Sequence, residues 1–300
     1  MQQWNIDNEK GIRNAEEIIL QVGIPPLPKA LIDIQNELAK AGPDFRRISD
    51  SVSKDVALSA AVLKIANSPF FGGIKTDSIH HALNILGLRN FYSLVMTSSL
   101  FNAIGYGLNQ SLDKFRRHSS TVAAVCSHIA LKLKIDLEEE AYAVGLFHDC
   151  GIPLLMKKYA DYAQMAEYAM PSSPLETIPD NFESVIGFET SRYHTNHCIM
   201  SLMLAKSWGM SDKILAVILT HHDISMYALK SPGQRHLAAI LFVSEFICQD
   251  CDTETYSFHQ DAAEWLKQHK NTLDEIQLKP ADVGILRDEA CEIIKSNEWF

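Results

Sequence analysis

The chain has 300 residues, 47% of them hydrophobic and 21% charged, a profile that excludes a disordered chain and allows one large or two ordinary domains with a sizeable core. Lys plus Arg number 27 against 37 Asp plus Glu, and the resulting net charge of −10 argues against a broad phosphate-backbone footprint, hence against nucleic acid as the main partner. No apolar run approaches the ~20 residues that span a bilayer, and Met1-Gln2-Gln3-Trp4-Asn5 lacks the basic-then-apolar pattern of a secretory signal.

Cysteine usage points the same way. Cys126, Cys150, Cys198, Cys248, Cys251 and Cys291 are scattered through predicted helices, so a reduced, cytoplasmic protein with no membrane partner is expected. Cys248 and Cys251 form a lone CxxC with no second pair, which reads as two cysteines near a helix end.

Residues 1 to about 110 read as short helices with clear punctuation. Ile24-Pro25-Pro26-Leu27-Pro28 leads stiffly into a helix over Lys29 to Ala41, stopped by Gly42-Pro43. A helix from Ser49 to Asn67 follows, with Val52, Val56, Leu63 and Ala66 as its apolar stripe. Asp77 or Ser78 caps the next, which Gly87 breaks before Asn90 to Ile104 continues. The helix–turn–helix look of Ser78 to Met96 invites a DNA-binding reading. Its second half, however, carries Phe91, Leu94 and Val95 with only Arg89 nearby, and so reads as core. His80 and His81 fall near a helix start and need no functional role.

Beyond residue 111 the helices lengthen: Leu112 to Lys132, Glu138 to His148, Pro153 to Met165, then a connection bearing Pro171, Pro174 and Pro179. Phe182 to Trp208, Ser211 to His222, Gly233 to Cys248, Asp261 to His269 and Pro280 to Ser296 complete the series. No alternating-hydrophobic strand is evident, so the expectation is an all-α chain of two lobes. The expected boundaries are an N-terminal segment (1–16), an N-terminal helical lobe (17–110) and a second helical lobe (111–300).

Helical spacing places a set of polar residues where a core should be. His148 and Asp149 end an apolar run in which Leu137, Ala141 and Val144 share the face of His148. His118 keeps register with Val122, Val125 and Ile129; His197 precedes Ser201 and Leu204; His221 and His222 follow Ile214, Val217 and Ile218; Glu245 shares a face with Ala238, Leu241 and Phe242. Any one histidine of this kind is ordinarily a satisfied core or rim residue. Histidines and carboxylates facing inward from five helices instead suggest one shared polar centre, whose members either hydrogen-bond each other or hold a cation. Imidazole plus carboxylate suits Fe, Mn, Zn or Ni, and no inward thiolate pattern argues for a Cys-rich zinc site.

The order His118, His148-Asp149, His197, His221-His222 and then an acidic residue resembles the HD superfamily of metal-dependent phosphohydrolases. More closely, the chain resembles its regulatory HDOD branch over about residues 17 to 225. The stretches that carry this are Ile24 through Pro28, Val62 through Gly72, Ile79 through Leu88, Gly145 through Gly151, and Glu189 through His197 to Trp208. The resemblance implies that His118, His148, Asp149 and Glu245 bind one divalent ion and that Asp149, His197, His221 and His222 bind a second. It further implies a bacterial signalling or regulatory module with protein partners or a small nucleotide-like ligand. The alternative it offers is an active phosphohydrolase or phosphodiesterase acting on a nucleotide or phosphate ester.

Three departures from the family pattern bear on catalysis. Glu245 stands where the last ligand is usually Asp, Gly151-Ile152 replaces the Gly-Lys of phosphodiesterase-type members, and no Gly-Tyr-Pro follows Asp223. If the centre is catalytic, Arg116, Arg117, Lys157 or Lys158 has to reach it in place of that lysine; otherwise the four form a solvated charged face.

Overall fold

The computed structural model describes residues 2–68, 75–105, 110–162, 184–222, 229–252 and 265–296. Among them there are helices and turns and no strand. The proline-bearing connection at Pro171, Pro174 and Pro179 and the stretch Phe70 to Gly73 lie outside the described residues.

Two compact units emerge from the backbone contacts, Pro25–Tyr106 and Gly107–Glu298, the second taking in the chain up to Ile24. In the smaller unit, α2 (Lys29–Leu38), α3 (Phe45–Ser53) and α4 (Val56–Ala66) gather on α5 (Ile79–Ile104). The single helix expected over Ser49 to Asn67 is two helices, α3 and α4. The Asp55 carboxylate accepts from the backbone N–H groups of Ala57 and Leu58, both at 3.0 Å, so a new helix starts there. Asp44 caps α3 in the same way through Arg46 and Arg47. Within α5, Gly87 takes φ 74°, a left-handed value that glycine adopts without strain, and the helix kinks there. Phe91, Leu94 and Val95 are buried, as core residues are.

The larger unit holds α1 (Gln2–Val22), which packs on two of its later helices and does not cluster with the residues from 25 to 106. Its other helices are α6 (Gln110–Lys132), α7 (Glu138–Phe147), α8 (Gly151–Lys158), α9 (Val185–Tyr193), α10 (His197–Ser207), α11 (Asp212–Thr220), α12 (Pro232–Asp252), α13 (Lys270–Glu275) and α14 (Pro280–Ser296). The helix expected from Phe182 to Trp208 is also divided. His194 turns left-handed at φ 57° and ends α9; Asn196 then starts α10, its side-chain oxygen accepting from Ile199 N at 3.0 Å. This break sets His197 on the first turn of α10 instead of the middle of a long helix.

Two glycines let helices come unusually close. A Cβ at Gly145 of α7 would lie 2.7 Å from the Ala123 Cα of α6. One at Gly151, the first residue of α8, would lie 2.2 Å from the His197 carbonyl oxygen and 2.7 Å from Ser201 N of α10. The same contact is fastened by a hydrogen bond from Gly151 N to the buried Ser201 hydroxyl at 2.8 Å. Phe147, fully buried, meets Trp208 edge-on at 5.5 Å between centroids, pinning the end of α7 against the end of α10.

Gly151→Ala therefore forces backbone apart and is expected to lower stability by about 1–3 kcal/mol. Gly284→Ala in α14, where nothing lies within 4 Å of the added Cβ, is expected to be neutral or to add up to roughly 1 kcal/mol through helix propensity. Urea unfolding of both variants checks the pair.

Candidate metal centre

His118 projects from the middle of α6, and His148 and Asp149 from the turn between α7 and α8. His197 opens α10, His221 and His222 close α11, and Glu245 lies on α12. All seven belong to the larger unit, and they are brought to one place.

Asp149 is its middle. Its Oδ2 lies 3.1 Å from His148 Nε2 and 3.7 Å from His118 Nε2, while its Oδ1 lies 3.3 Å from His221 Nε2 and 3.4 Å from His197 Nε2. Each carboxylate oxygen thus faces a different pair of imidazoles. Glu245 Oε1 joins the first group, 3.4 Å from His148 Nε2. His222 joins the second at the solvent rim, its ring 4.3 Å from that of His221 and 4.9 Å from that of His197.

The rings are held from behind. His148 Nδ1 lies 2.7 Å from the Gly145 carbonyl oxygen and His221 Nδ1 2.7 Å from that of Ile218, so each Nδ1 carries the proton it donates. His197 Nδ1 lies 2.8 and 2.9 Å from the two carboxylate oxygens of Glu189 on α9. With Nδ1 used as donor, Nε2 is left facing inward. The Nε2 atoms of His118, His148, His197 and His221 and the Oδ1 of Asp149 are all buried without a hydrogen-bond partner. Five such orphans at one point would each cost a few kcal/mol unless something satisfies them together. A cation does so, and imidazole nitrogen with carboxylate oxygen is a donor set that fits one.

Electrostatics follow from the same packing. Burial, reinforced by repulsion from His148, holds His118 down to about 4, so it stays neutral at working pH. Burial pushes Asp149 up, but the His148, His221 and His197 rings outweigh it and hold the carboxyl well below its usual range. Burial likewise opposes charge on His197 and His221. Glu189 outweighs it for the first, and Cys198 with Asp149 for the second, so both sit well above the ordinary histidine value. Burial also lifts Glu245 above the ordinary carboxylate value.

Glu189 and Cys198 are functional neighbours to which sequence reading gave no role. Cys198 Sγ lies 3.6 Å from His221 Nδ1, and with His197, His221 and His222 it belongs to a group whose donor atoms all fall within 4.8 Å of one another. The sequence signal for Glu189 was its place at the head of the matching stretch, eight residues before His197. Of the four cations offered as a phosphate clamp, Lys158 Nζ bonds the Gln21 side chain, Lys157 and Arg117 are exposed, and Arg116, largely buried, has its Nη1 3.5 Å from Asp113 Oδ1. Ile152, in the place of the family lysine, is fully buried.

The chain matches the family model of the HDOD domain over residues 24–224. A Treponema pallidum (strain Nichols) protein of uncharacterised function is 26% identical over 213 residues; the match takes in 67% of this chain and spans only 38% of that relative's length. Two solved structures share the fold. One is an HDOD domain protein of unknown function from Geobacter sulfurreducens (TM-score 0.75, 22% identity, 97% of this chain and 99% of that one). The other is a candidate phosphohydrolase from Shewanella amazonensis SB2B (TM-score 0.66, 22% identity, 92% of this chain and 93% of that one).

The neighbours that hold His197 and His221 above the ordinary histidine value favour their protonated forms in the metal-free chain. A cation seated there competes with those protons, so uptake should release protons and affinity should rise with pH through the ordinary histidine range and beyond it. Calorimetric titration in buffers of different ionisation enthalpy reads this directly.

Proposed function

The chain belongs to the HDOD family, and from that premise we propose that it is a regulatory module of bacterial signalling built round a two-ion centre. His118, His148, Glu245 and Asp149 Oδ2 would hold one divalent ion; Asp149 Oδ1, His197, His221 and His222 would hold the other. The observation that carries this reading is the convergence of four unpartnered Nε2 atoms on the two oxygens of one buried carboxylate. Iron, manganese, zinc or nickel suits such donors, which discriminate poorly among them. Partly exposed Glu245 and His222 set the centre at a rim, where a nucleotide-like ligand or a signalling partner could meet it. No helix among the described residues is long and apolar enough to cross a membrane, which suits a cytoplasmic role.

A second reading, metal-dependent phosphohydrolysis at the same centre, is favoured by the bridging pose of Asp149 and by the name of the Shewanella relative. Two ions so placed would supply the positive charge that stabilises an in-line displacement at phosphorus. Against turnover stands Ile152, a buried aliphatic side chain where a phosphate-binding lysine is expected.

Metal analysis of chain purified without chelator tests the first reading. Up to two equivalents are expected in the wild type, near zero in Asp149→Ala, and a loss of at most one in Glu245→Ala. Full metal content in Asp149→Ala would remove the bridge. Phosphate release from a nucleotide panel by wild type, absent in Asp149→Ala, would favour the second reading over the first.

A further inference from the structure

Outside the seven residues, the group most firmly engaged with the centre is the Glu189 carboxylate, which is 1% exposed. Its Oε2 accepts from the backbone N–H of His197 at 2.9 Å, and both oxygens meet His197 Nδ1. Tyr162, itself fully buried, donates its hydroxyl to Oε1. That network fixes more than a contact. The Glu189 oxygens accept from the Tyr162 hydroxyl and the His197 backbone N–H, so they face His197 Nδ1 as acceptors and Nδ1 donates, which turns Nε2 toward Asp149 Oδ1, 3.4 Å away. The backbone bond meanwhile holds the first turn of α10, so the ring's origin is fixed as well as its tautomer.

The other half of the centre is backed differently. His148 Nδ1 donates to a neutral carbonyl, that of Gly145, as His221 does to that of Ile218, so the carboxylate behind His197 is what sets the two halves apart. Glu245, 16% exposed at its side chain, completes the first group and His222 the second, each at the rim. A carboxylate behind an imidazole makes that imidazole a stronger donor than a carbonyl does, and such outer partners are commonly worth 10- to 100-fold in metal affinity.

We propose that Glu189, locked by Tyr162, is the positioning residue for His197 and thereby makes the ion on the His197–His221 side the tightly held one, leaving the ion on the Glu245 side exchangeable. The inference rests on the two-ion reading above and adds an order of loading to it.

The test uses the full chain, stripped of metal and titrated with Co(II) alone while absorption and bound cobalt are followed. Two affinities are expected. Glu189→Gln should weaken the tighter by about 10- to 100-fold and leave the other in place. Glu245→Gln should weaken only the looser one, and Tyr162→Phe should act in the direction of Glu189→Gln with a smaller effect. Should Glu189→Gln be poorly folded by circular dichroism, Tyr162→Phe carries the comparison. Unchanged tight binding in the folded variants, or loss confined to the looser ion, overturns the proposal.

A second readout needs no metal. In the stripped wild type, nitrogen-15 spectra should show a protected, far-downfield His197 Nδ1 proton that persists in Glu245→Gln and moves upfield or exchanges away in Glu189→Gln. Its absence from the wild type overturns the positioning role. A wild type that shows this proton yet takes up no cobalt sinks the two-ion reading and the loading order with it, while the hold of Glu189 on His197 stands.

Discussion

A carboxylate buried among imidazoles is the constraint on which the larger unit depends. Asp149 is almost fully removed from water, and its charge is answered at close range by ring nitrogens from α6, α10, α11 and its own turn. In a medium of low polarity neither the charge nor the rings can be left unmatched, and losing one partner strands the others. Much of the surrounding architecture can be understood as holding that arrangement still. Gly145 lets α7 close on α6, Gly151 lets α8 close on α10, Asn196 fixes where α10 begins, and backbone carbonyls set the tautomers of His148 and His221.

Periodicity made much of this readable from the chain. His118 among Val122, Val125 and Ile129, and His148 after Ala141 and Val144, stand on stripes in which these five apolar residues are buried, only Leu137 at the start of the second being partly exposed, so an inward polar residue announces itself. Two helix boundaries were not readable in the same way. Asp55 and Asn196 each interrupt a run whose apolar spacing continues across the break, and a cap formed by one side chain outweighs that spacing locally. Without the break at His194, Glu189 and His197 would appear as two positions on one helix instead of partners across a turn.

The structural roles of Glu189 and Gly151 were not legible for a deeper reason. A carboxylate on a nine-residue helix looks like surface until the tertiary contact with His197 and Tyr162 is known. A glycine looks like a helix breaker until the neighbouring backbone is seen 2.2 Å from where its Cβ would be. Both depend on what lies opposite, and linear spacing does not encode what lies opposite. The larger unit's claim on α1 is of the same kind, since α1 finds its partners in helices that come much later in the chain.

The helices that meet at Asp149 are strung along the sequence from His118 to Glu245, so a cation at their junction would cross-link segments that are otherwise free to separate. Such a staple binds the native state and has little hold on an unfolded chain, so it stabilises by an amount that grows with the logarithm of free metal concentration. Abundance would then follow supply: in a metal-starved cell the unstapled chain opens more often and is exposed to proteolysis. The orphaned nitrogens of the centre would thus tie the lifetime of the protein to any ion seated there, before any question of ligand or turnover arises.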